Sequence, residues 1–196
     1  MAKMDRLEKW VVNSWWDKVF HKFFGIGRLL KRIPDEKFDK ILEIGAGVGI
    51  TTKFISKKFP KSMITATDYD PEQVEKAGKG LANSGIVVQQ ADATSLKFEN
   101  NSFDACFAIL VFHHIENFNE AITEISRVLK PGGKFYVIDV PSKHWTLFHL
   151  RNYKSMNIIP GLFSKTEFEN IVQQSGFRIL KNGGKLMFWL KAEKLI

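Results

Sequence analysis

From residue 41 onward, short apolar runs alternate with segments in which apolar residues recur every three or four positions. The apolar runs predict five strands: Ile41–Ile44, Met63–Thr67, Ile86–Gln90, Ala105–Val111 and Lys134–Ile138. The periodic segments between them predict three helices: Thr51–Phe59, Pro71–Ala82 and Asn119–Leu129. Strands that alternate with helices pair in parallel through right-handed crossovers. The pattern therefore predicts an α/β fold built on a doubly wound, mostly parallel sheet.

The carboxyl-terminal part of the chain departs from this alternation. Ser164 with Glu167 three residues later forms a capping box, which predicts a helix start, and Gly176 predicts the end of that helix. Two β-rich segments follow, Phe177–Leu180 and Leu186–Leu190, with an Asn-Gly-Gly turn between them. We therefore expect the sheet to end in an antiparallel hairpin.

Residues 1–37 predict a helical extension before the main domain of residues 38–196. Two neighbouring helical rows are apolar: Val11, Trp15, Val19 and Phe23, and Val12, Trp16, Phe20 and Phe24. Polar residues occupy the opposite rows. The pattern leaves three roles open: a helix packed on the domain, a lid over the site, or an anchor at a membrane surface, where Trp and Phe beside Lys are favoured.

The charge is divided unevenly along the chain. The net charge of +8 arises from +4 in residues 1–40, −2 in residues 41–140 and +6 in residues 141–196. An acidic middle suits a cationic or zwitterionic ligand, and basic ends suit an anionic second substrate or its surroundings. A basic surface that only aids solubility explains the same distribution.

Composition excludes several classes of protein. The single cysteine, Cys106, cannot form an internal disulfide or a cysteine-built metal site, and no metal is expected. The longest apolar run, residues 105–112, is far shorter than a bilayer span. The amino-terminal sequence has no apolar signal-peptide core. We expect a cytoplasmic protein, with peripheral membrane contact as the alternative.

A glycine-rich turn follows the first predicted strand. Glu43, Gly45, Gly47 and Gly49 are spaced as E-x-G-x-G-x-G. Glycine at these positions allows a tight turn, lets a ligand approach the backbone and lets the helix start lie close to the strand. A dinucleotide fingerprint has its third glycine one position later, where Ile50 stands, and no phosphate-loop lysine follows. A carboxylate beside the turn would repel a pyrophosphate but suits ammonium and sulfonium charge.

With this turn the chain resembles the class I S-adenosylmethionine-dependent methyltransferases, nearest the small-molecule group with ubiquinone/menaquinone-type enzymes. The resemblance covers residues 38–196. Five motifs match in order: the turn of Glu43 to Gly49, Asp68-Tyr69, Ala91-Asp92-Ala93, Ser102-Phe103-Asp104 running to Ile115, and Leu129-Lys130-Pro131-Gly132-Gly133. The resemblance implies a seven-stranded Rossmann-like sheet, S-adenosylmethionine as cofactor and S-adenosylhomocysteine as product.

The resemblance also implies which residues bind each part of the cofactor. Glu43 and the turn would hold the methionine and ribose side, and Asp68 would accept both ribose hydroxyls. Tyr69 would pack on the adenine, and Asp92 would accept from its exocyclic amine. The expected cofactor-binding residues are Glu43, Gly45, Ala46, Gly47, Gly49, Asp68, Tyr69, Asp92, Ala93 and, through its backbone, Ile109.

Two histidines follow the fourth predicted strand, where methyl donor and acceptor would meet. His113 and His114 are candidate catalytic bases. The alternative is that one stabilises the loop and the other lines the site without moving a proton. Methyl transfer is a one-step SN2 displacement, so a base is needed only when the acceptor must lose a proton.

The leading interpretation is a methyltransferase for a small-molecule or lipid-like acceptor. The aromatic and basic residues between Pro141 and Phe163 would select that acceptor, although a plain amphipathic helix explains them equally well. A phosphatidylethanolamine-type N-methyltransferase at a membrane surface and a non-catalytic cofactor-binding module remain alternatives. Nucleic acid is not an expected partner, because Ile109-Leu110-Val111-Phe112 replaces an Asn-Pro-Pro-Tyr-type tetrapeptide. The sequence does not indicate an oligomeric state.

Overall fold

The computed structural model describes residues 33, 36–141, 163–185 and 187–196. In this part of the chain the strands are β1 Lys40–Ile44, β2 Met63–Asp68, β3 Val87–Gln90, β4 Phe103–Ile109, β5 Leu129–Asp139, β6 Phe177–Gly183 and β7 Phe188–Lys194. The helices are α1 Ile50–Lys58, α2 Pro71–Gly80, α3 Phe118–Val128 and α4 Lys165–Gln174. A 3₁₀ turn, Phe112–His114, follows β4. The amino-terminal helix predicted around residues 5–30 and the acceptor segment of residues 142–162 lie outside the described residues.

The seven strands form one sheet in the order β3-β2-β1-β4-β5-β7-β6. The first five pair in parallel, whereas β7 runs antiparallel to both β5 and β6. This confirms the predicted fold class. The chain moves outward in one direction from β1 to β3 and in the other direction from β4, so the strand order reverses between β1 and β4. Ligands of open α/β sheets bind at the carboxyl ends of the strands at such a reversal.

The sheet is buried on both faces, as parallel strands usually are. In β1, Leu42 and Ile44 belong to a core cluster that includes apolar residues of α3 and α4. Ile41 belongs to a second cluster on the other face, together with Ile55 of α1. Consecutive β1 side chains therefore pack against helices on opposite faces of the sheet. This packing determines the position of the carboxyl end of β1, where the glycine turn begins.

Several predicted strand boundaries are wrong. The fifth strand begins at Leu129 rather than Lys134, and the first hairpin strand ends at Gly183 rather than Leu180. The fourth strand ends at Ile109 rather than Val111, because Leu110 adopts φ 54° and turns the chain out of the sheet. The hairpin's second strand was expected at residues 186–190 but runs from Phe188 to Lys194. Its alternating buried positions, which include Leu190, continue beyond the predicted end of the strand.

The structure contains no helix in its described part that is long and apolar enough to cross a bilayer.

Candidate functional site

The glycine turn lies at the carboxyl end of β1, beside the reversal of strand order. Gly45 and Gly47 have φ angles of 70° and 54°, in the left-handed region that side chains disfavour. A Cβ atom on Gly45 would lie 2.3 Å from the Val111 side chain, so this part of the turn packs directly against the segment that follows β4. A Cβ atom on Gly47 would meet nothing within 4 Å. The turn is therefore closed at Gly45 and open at Gly47.

Asp68 ends β2 and is bound to the same turn. Its Oδ2 accepts a hydrogen bond from the Gly47 N–H at 2.8 Å, and its Oδ1 accepts from the Asp70 N–H at 2.9 Å. Burial raises the pKa of Asp68 above its usual value, and the N–H groups of Asp70 and Gly47 oppose this shift only in part. A carboxylate offers about four lone-pair sites, so Asp68 keeps acceptor capacity for the hydroxyl groups of a ligand.

Glu43 lies behind the turn rather than on an open surface. It is 1% exposed, and the Thr51 hydroxyl at the start of α1 donates a hydrogen bond to its Oε1. The Thr67 hydroxyl donates to the Glu43 backbone carbonyl at 2.8 Å, which links β2 to β1 at this level. The predicted acidic residue is thus a buried carboxyl group held at the beginning of the first helix.

The predicted adenine-side residues lie at the ends of the neighbouring strands β2 and β3. The Tyr69 carbonyl accepts from the Gln90 side-chain amide at 3.0 Å, which joins the two strand ends. Asp92 Oδ1 accepts from both the backbone N–H and the hydroxyl of Thr94, at 2.9 and 2.7 Å. Burial raises the pKa of Asp92, but these hydrogen bonds outweigh it, so the net pKa is lowered. Ala93 is buried in the core.

The segment after β4 is conformationally strained. Ile109 is buried at the end of the strand, and Leu110 follows with φ 54°, which is uncommon for a residue with a side chain. The Leu110 N–H donates to the Ile138 carbonyl of β5 at 2.8 Å and so keeps the turn attached to the sheet. Residues in such conformations persist only where the surrounding structure holds them, and they occur often at functional sites.

Asp139, which the sequence analysis did not single out, holds this strained turn. Its carboxylate is fully buried at the end of β5. Oδ2 accepts from the N–H groups of Val111 and Phe112 at 3.1 and 2.8 Å. Oδ1 accepts from the Val140 N–H at 2.7 Å and lies 2.6 Å from Nδ1 of His113. The available sequence signal was a single acidic residue that ends an apolar strand.

His113 and His114 lie side by side on the 3₁₀ turn, with ring centroids 4.0 Å apart. Burial, together with the neighbouring His113, lowers the pKa of His114 well below the usual histidine range. His114 is therefore neutral at physiological pH, whereas His113 contacts a carboxylate. The structure brings both predicted catalytic candidates to the carboxyl end of β4.

Acidification should destabilise the protein through His114. The unfolded chain binds a proton on this residue near pH 6.5, but the folded chain does so only at much lower pH. The free energy of unfolding should therefore be highest above pH 6.5 and fall as the pH is lowered, by up to about 1.4 kcal/mol per unit. Urea denaturation of wild type and His114→Gln between pH 5 and 8 measures this, and an equal slope in the two proteins would contradict it.

The buried side chain of Gln73 is a second feature that sequence reasoning missed. Gln73 is 0% exposed, and neither atom of its amide has a hydrogen-bond partner among the described residues. It lies on α2 one turn before Ala77. A Cβ atom on Gly49 would meet Ala77 and Leu81, so this face of α2 packs against the glycine turn. The donor and acceptor capacity of this buried amide is therefore unused among the described residues.

These features fit S-adenosylmethionine. The space at Gly47 admits a ligand against the backbone, and Asp68 offers acceptor oxygens for paired hydroxyls. The carboxyl groups of Glu43, behind the turn, and of Asp68, bonded to it, suit a ligand with ammonium and sulfonium groups. Within the described residues, no group of three or more His, Cys, Asp or Glu side chains is arranged to hold a metal ion.

Comparison with known proteins identifies methyltransferases both by a family model and by individual relatives. A family model described as a methyltransferase domain matches residues 42–137. An O-methyltransferase from Pyrenophora dematioidea is 28% identical over 162 residues, which cover 78% of this chain and 59% of the relative. The ubiquinone/menaquinone biosynthesis C-methyltransferase UbiE from Geotalea daltonii is 30% identical over 156 residues, which cover 72% of this chain and 66% of the relative.

The matched regions span between 48% and 66% of the length of such relatives. Among solved structures, a protein from Haloferax volcanii in complex with the Trm112 methyltransferase activator superposes with a TM-score of 0.82 over 100% of both chains, at 15% identity. At this identity the likeness concerns the fold alone. The family model includes the glycine turn and the two histidines, and it ends two residues before Asp139.

Proposed function

Because this chain belongs to the class I S-adenosylmethionine-dependent methyltransferases, we propose that it transfers the methyl group of S-adenosylmethionine to a small-molecule or lipid-like acceptor. The observation that carries the proposal is the pairing of Gly47 with Asp68. The glycine leaves an open space against the backbone, and its N–H orients the carboxylate beside that space. A ribose with two adjacent hydroxyls has the donors that such a carboxylate accepts.

Each predicted residue then has a defined task in binding. Asp68 accepts from the ribose hydroxyls, and Tyr69 packs on the adenine. Asp92 accepts from the adenine amine through the oxygen that Thr94 does not use, and Ala93 contributes backbone only, because its side chain is buried. The remaining contacts, to the methionine part, come from the glycine turn and from the backbone of Ile109. The buried carboxyl group of Glu43 suits the cationic end of the cofactor.

When bound, S-adenosylmethionine supplies an electrophilic methyl group on a sulfonium. The protein's share of the rate is then to place the acceptor in line with that group and to exclude water. The strained turn after β4 suits this task, because Asp139 and the Ile138 carbonyl attach it to β5 and its Val111 side chain packs beside Gly45.

The acceptor is a small molecule of a class that the relatives do not define. Their names include quinone-pathway and sterol C-methyltransferases as well as O-methyltransferases, and the chain covers only part of each. The membrane alternative had two motives. The amino-terminal helix lies outside the described residues, and the basic carboxyl end of residues 141–196 is explained equally by a basic surface that only aids solubility. No observation on the described residues favours a non-catalytic role.

Calorimetric titration of the full chain with S-adenosylmethionine, S-adenosylhomocysteine, NAD⁺ and ATP tests the cofactor site. We expect saturable binding of the first two at one site and no competition from the others. Transfer of tritium from the labelled methyl group to an acceptor panel then tests catalysis. Binding of NAD⁺ or ATP in competition with S-adenosylmethionine would contradict the assignment, and tight cofactor binding without transfer to any acceptor would favour a binding module.

A further inference from the structure

The connection between β3 and β4 carries the predicted adenine contact but contains no helix or strand. It comprises residues 91–102. At its start, the Ala91 N–H donates to the Asp68 carbonyl at 3.0 Å, which attaches the connection to the end of β2. Asp92 and Thr94 follow in a tight turn. The position of Asp92 therefore depends on what holds the rest of the connection.

An ion pair on α3 holds the far side of this turn. Arg127 forms a bidentate pair with Glu124, from Nε to Oε1 at 2.7 Å and from Nη2 to Oε2 at 2.8 Å. The Leu96 N–H donates to Glu124 Oε2 at 2.8 Å, and Arg127 Nη2 donates to the Leu96 carbonyl at 2.8 Å. This ion pair, which we call the α3 clamp, thus binds both polar backbone groups of a single residue of the connection.

Every donor of the Arg127 guanidinium is used in the clamp. Its Nη1 donates to the Phe98 carbonyl at 2.7 Å and to Asn100 Oδ1 at 2.8 Å, which completes the five N–H groups. The hydrogen bonds from Arg127 lower the pKa of Glu124, so the clamp is ionised at neutral pH. Bidentate contacts between charged groups are stronger and more directional than contacts between neutral groups. The clamp therefore fixes residues 96–100 on α3.

A short bonded path leads from the clamp to the Asp92 carboxylate. Asp92 Oδ1 accepts from the Thr94 N–H and hydroxyl, and the Asp92 carbonyl accepts from the Ser95 N–H at 3.1 Å. These three residues form one turn, and Leu96 comes directly after it. Because Ala91 holds one end of the turn and Leu96 the other, the second carboxylate oxygen of Asp92 keeps a fixed direction.

This inference rests on the proposed function and concerns the adenine side of the same site. We propose that Arg127 and Glu124 are positioning residues for adenine recognition, which hold Asp92 where its second carboxylate oxygen accepts from the exocyclic amine. The clamp acts on the cofactor only through Asp92. It thereby sets how strongly the protein prefers adenine to a purine that lacks the amine.

Loss of the clamp should change one part of cofactor recognition and spare another. The Asp68 carboxylate is oriented by the N–H groups of Gly47 and Asp70, which lie in the glycine turn and directly before α2. The contacts of Asp68 with the ribose should therefore survive when the clamp is broken. A general destabilisation of the protein, by contrast, would weaken the adenine and ribose contacts together.

The test measures calorimetric dissociation constants of the full chain for S-adenosylhomocysteine, for its analogue with hydrogen in place of the adenine amine, and for its 2′-deoxy analogue. Wild type should prefer the first to the second by at least about tenfold, because the amine donates to a charged acceptor. In Arg127→Met and Glu124→Gln this amine preference should fall below about threefold, whereas the ribose preference should stay within about twofold of wild type. Arg127→Lys keeps the charge without the planar fork and should give an intermediate amine preference.

Glu193→Gln is the matched control for the loss of a partly buried ion pair. Glu193 is 21% exposed, against 20% for Glu124, and it binds the side chains of Lys134 and Arg178. It lies in β7, which four strands separate from β3 in the sheet. We expect this variant to keep both preferences of wild type.

Hydrogen exchange of wild type provides a readout that requires no variant to fold. Coupling between two sites is reciprocal, so an amine bound by Asp92 must in turn stabilise the clamp. The Leu96 N–H should exchange at least about threefold more slowly with saturating S-adenosylhomocysteine than with the amine-free analogue. The Leu195 N–H, which donates to the Gly176 carbonyl, should exchange equally in the two complexes.

An unchanged amine preference in a folded Arg127→Met or Glu124→Gln protein would overturn the inference. Equal loss of the amine and ribose preferences, or equal exchange of the Leu96 N–H in the two complexes, would also overturn it. Wild-type binding of S-adenosylhomocysteine without any amine preference would overturn it and leave the cofactor site standing. Absence of S-adenosylhomocysteine binding would overturn both the inference and the proposed function.

Discussion

Replacing Asp68 with alanine should weaken S-adenosylmethionine binding by about 10- to 150-fold. A hydrogen bond to a charged, partly desolvated group contributes about 1.5–3 kcal/mol, and about 1.4 kcal/mol corresponds to a factor of ten. The Gly47 N–H and the Asp70 N–H already orient the Asp68 carboxylate. The wild-type side chain therefore loses little conformational entropy when it binds the ribose hydroxyls. Isothermal titration calorimetry of Asp68→Ala against wild type measures the loss.

A matched charge control is available on the surface. Glu75 on α2 is exposed and pairs only locally with Lys79, so Glu75→Ala changes the net charge by the same amount without touching the site. We expect this control to bind S-adenosylmethionine like wild type. Because burial raises the pKa of Asp68, affinity for the cofactor should also decline on acidification at a higher pH than an ordinary aspartate would cause. Unchanged affinity in a folded Asp68→Ala protein would refute the assignment of this residue.

Gly47→Asn should abolish cofactor binding, with an affinity loss of at least about 100-fold, yet leave the fold intact. A Cβ atom here meets nothing within 4 Å, and asparagine tolerates the left-handed conformation better than most residues. The free energy of unfolding should therefore fall by no more than about 1 kcal/mol. The added side chain would occupy the space that the ligand needs. Calorimetry and urea denaturation on the same preparation separate the two effects.

Two further glycine variants make this comparison specific. Gly85 has the same left-handed conformation and the same open surroundings but precedes β3, so Gly85→Asn should bind the cofactor normally. Gly45→Ala should show the reverse of Gly47→Asn, because its Cβ atom would overlap the Val111 side chain and destabilise the fold by about 1–3 kcal/mol. Normal cofactor affinity in Gly47→Asn would mean that the ligand does not lie against this backbone.

The fold could be read from the sequence where local pattern determines it. Alternating apolar runs and periodic helices gave five parallel strands and the antiparallel hairpin, because each element buries a face that its own spacing defines. The end of β4 could not be read in this way. Leu110 continues the apolar run, and its φ of 54° is imposed by the Ile138 carbonyl and by Asp139, which lie far along the chain.

The residues of the candidate site also fall into two groups, those that local sequence identifies and those that it does not. The glycine turn and Asp68 are recognisable because their residue types and spacing are themselves the signal. Asp139 and Gln73 carry no such signal. Asp139 is distinctive because it accepts hydrogen bonds from backbone N–H groups 27 and 28 residues away in sequence. Gln73 is distinctive only because its side chain is buried. In the structure, the side chains of Glu43 and Asp92 each accept a hydrogen bond from a threonine hydroxyl. Residue spacing alone could not predict these partners.

A crystal structure of the protein with S-adenosylhomocysteine tests the central claim most directly. We predict that the nucleoside lies over Gly47, with both ribose hydroxyls within 3.2 Å of the Asp68 carboxylate and the sulfur facing the turn that carries His113. A ligand bound elsewhere, or one that leaves Asp68 without contact, would contradict the account.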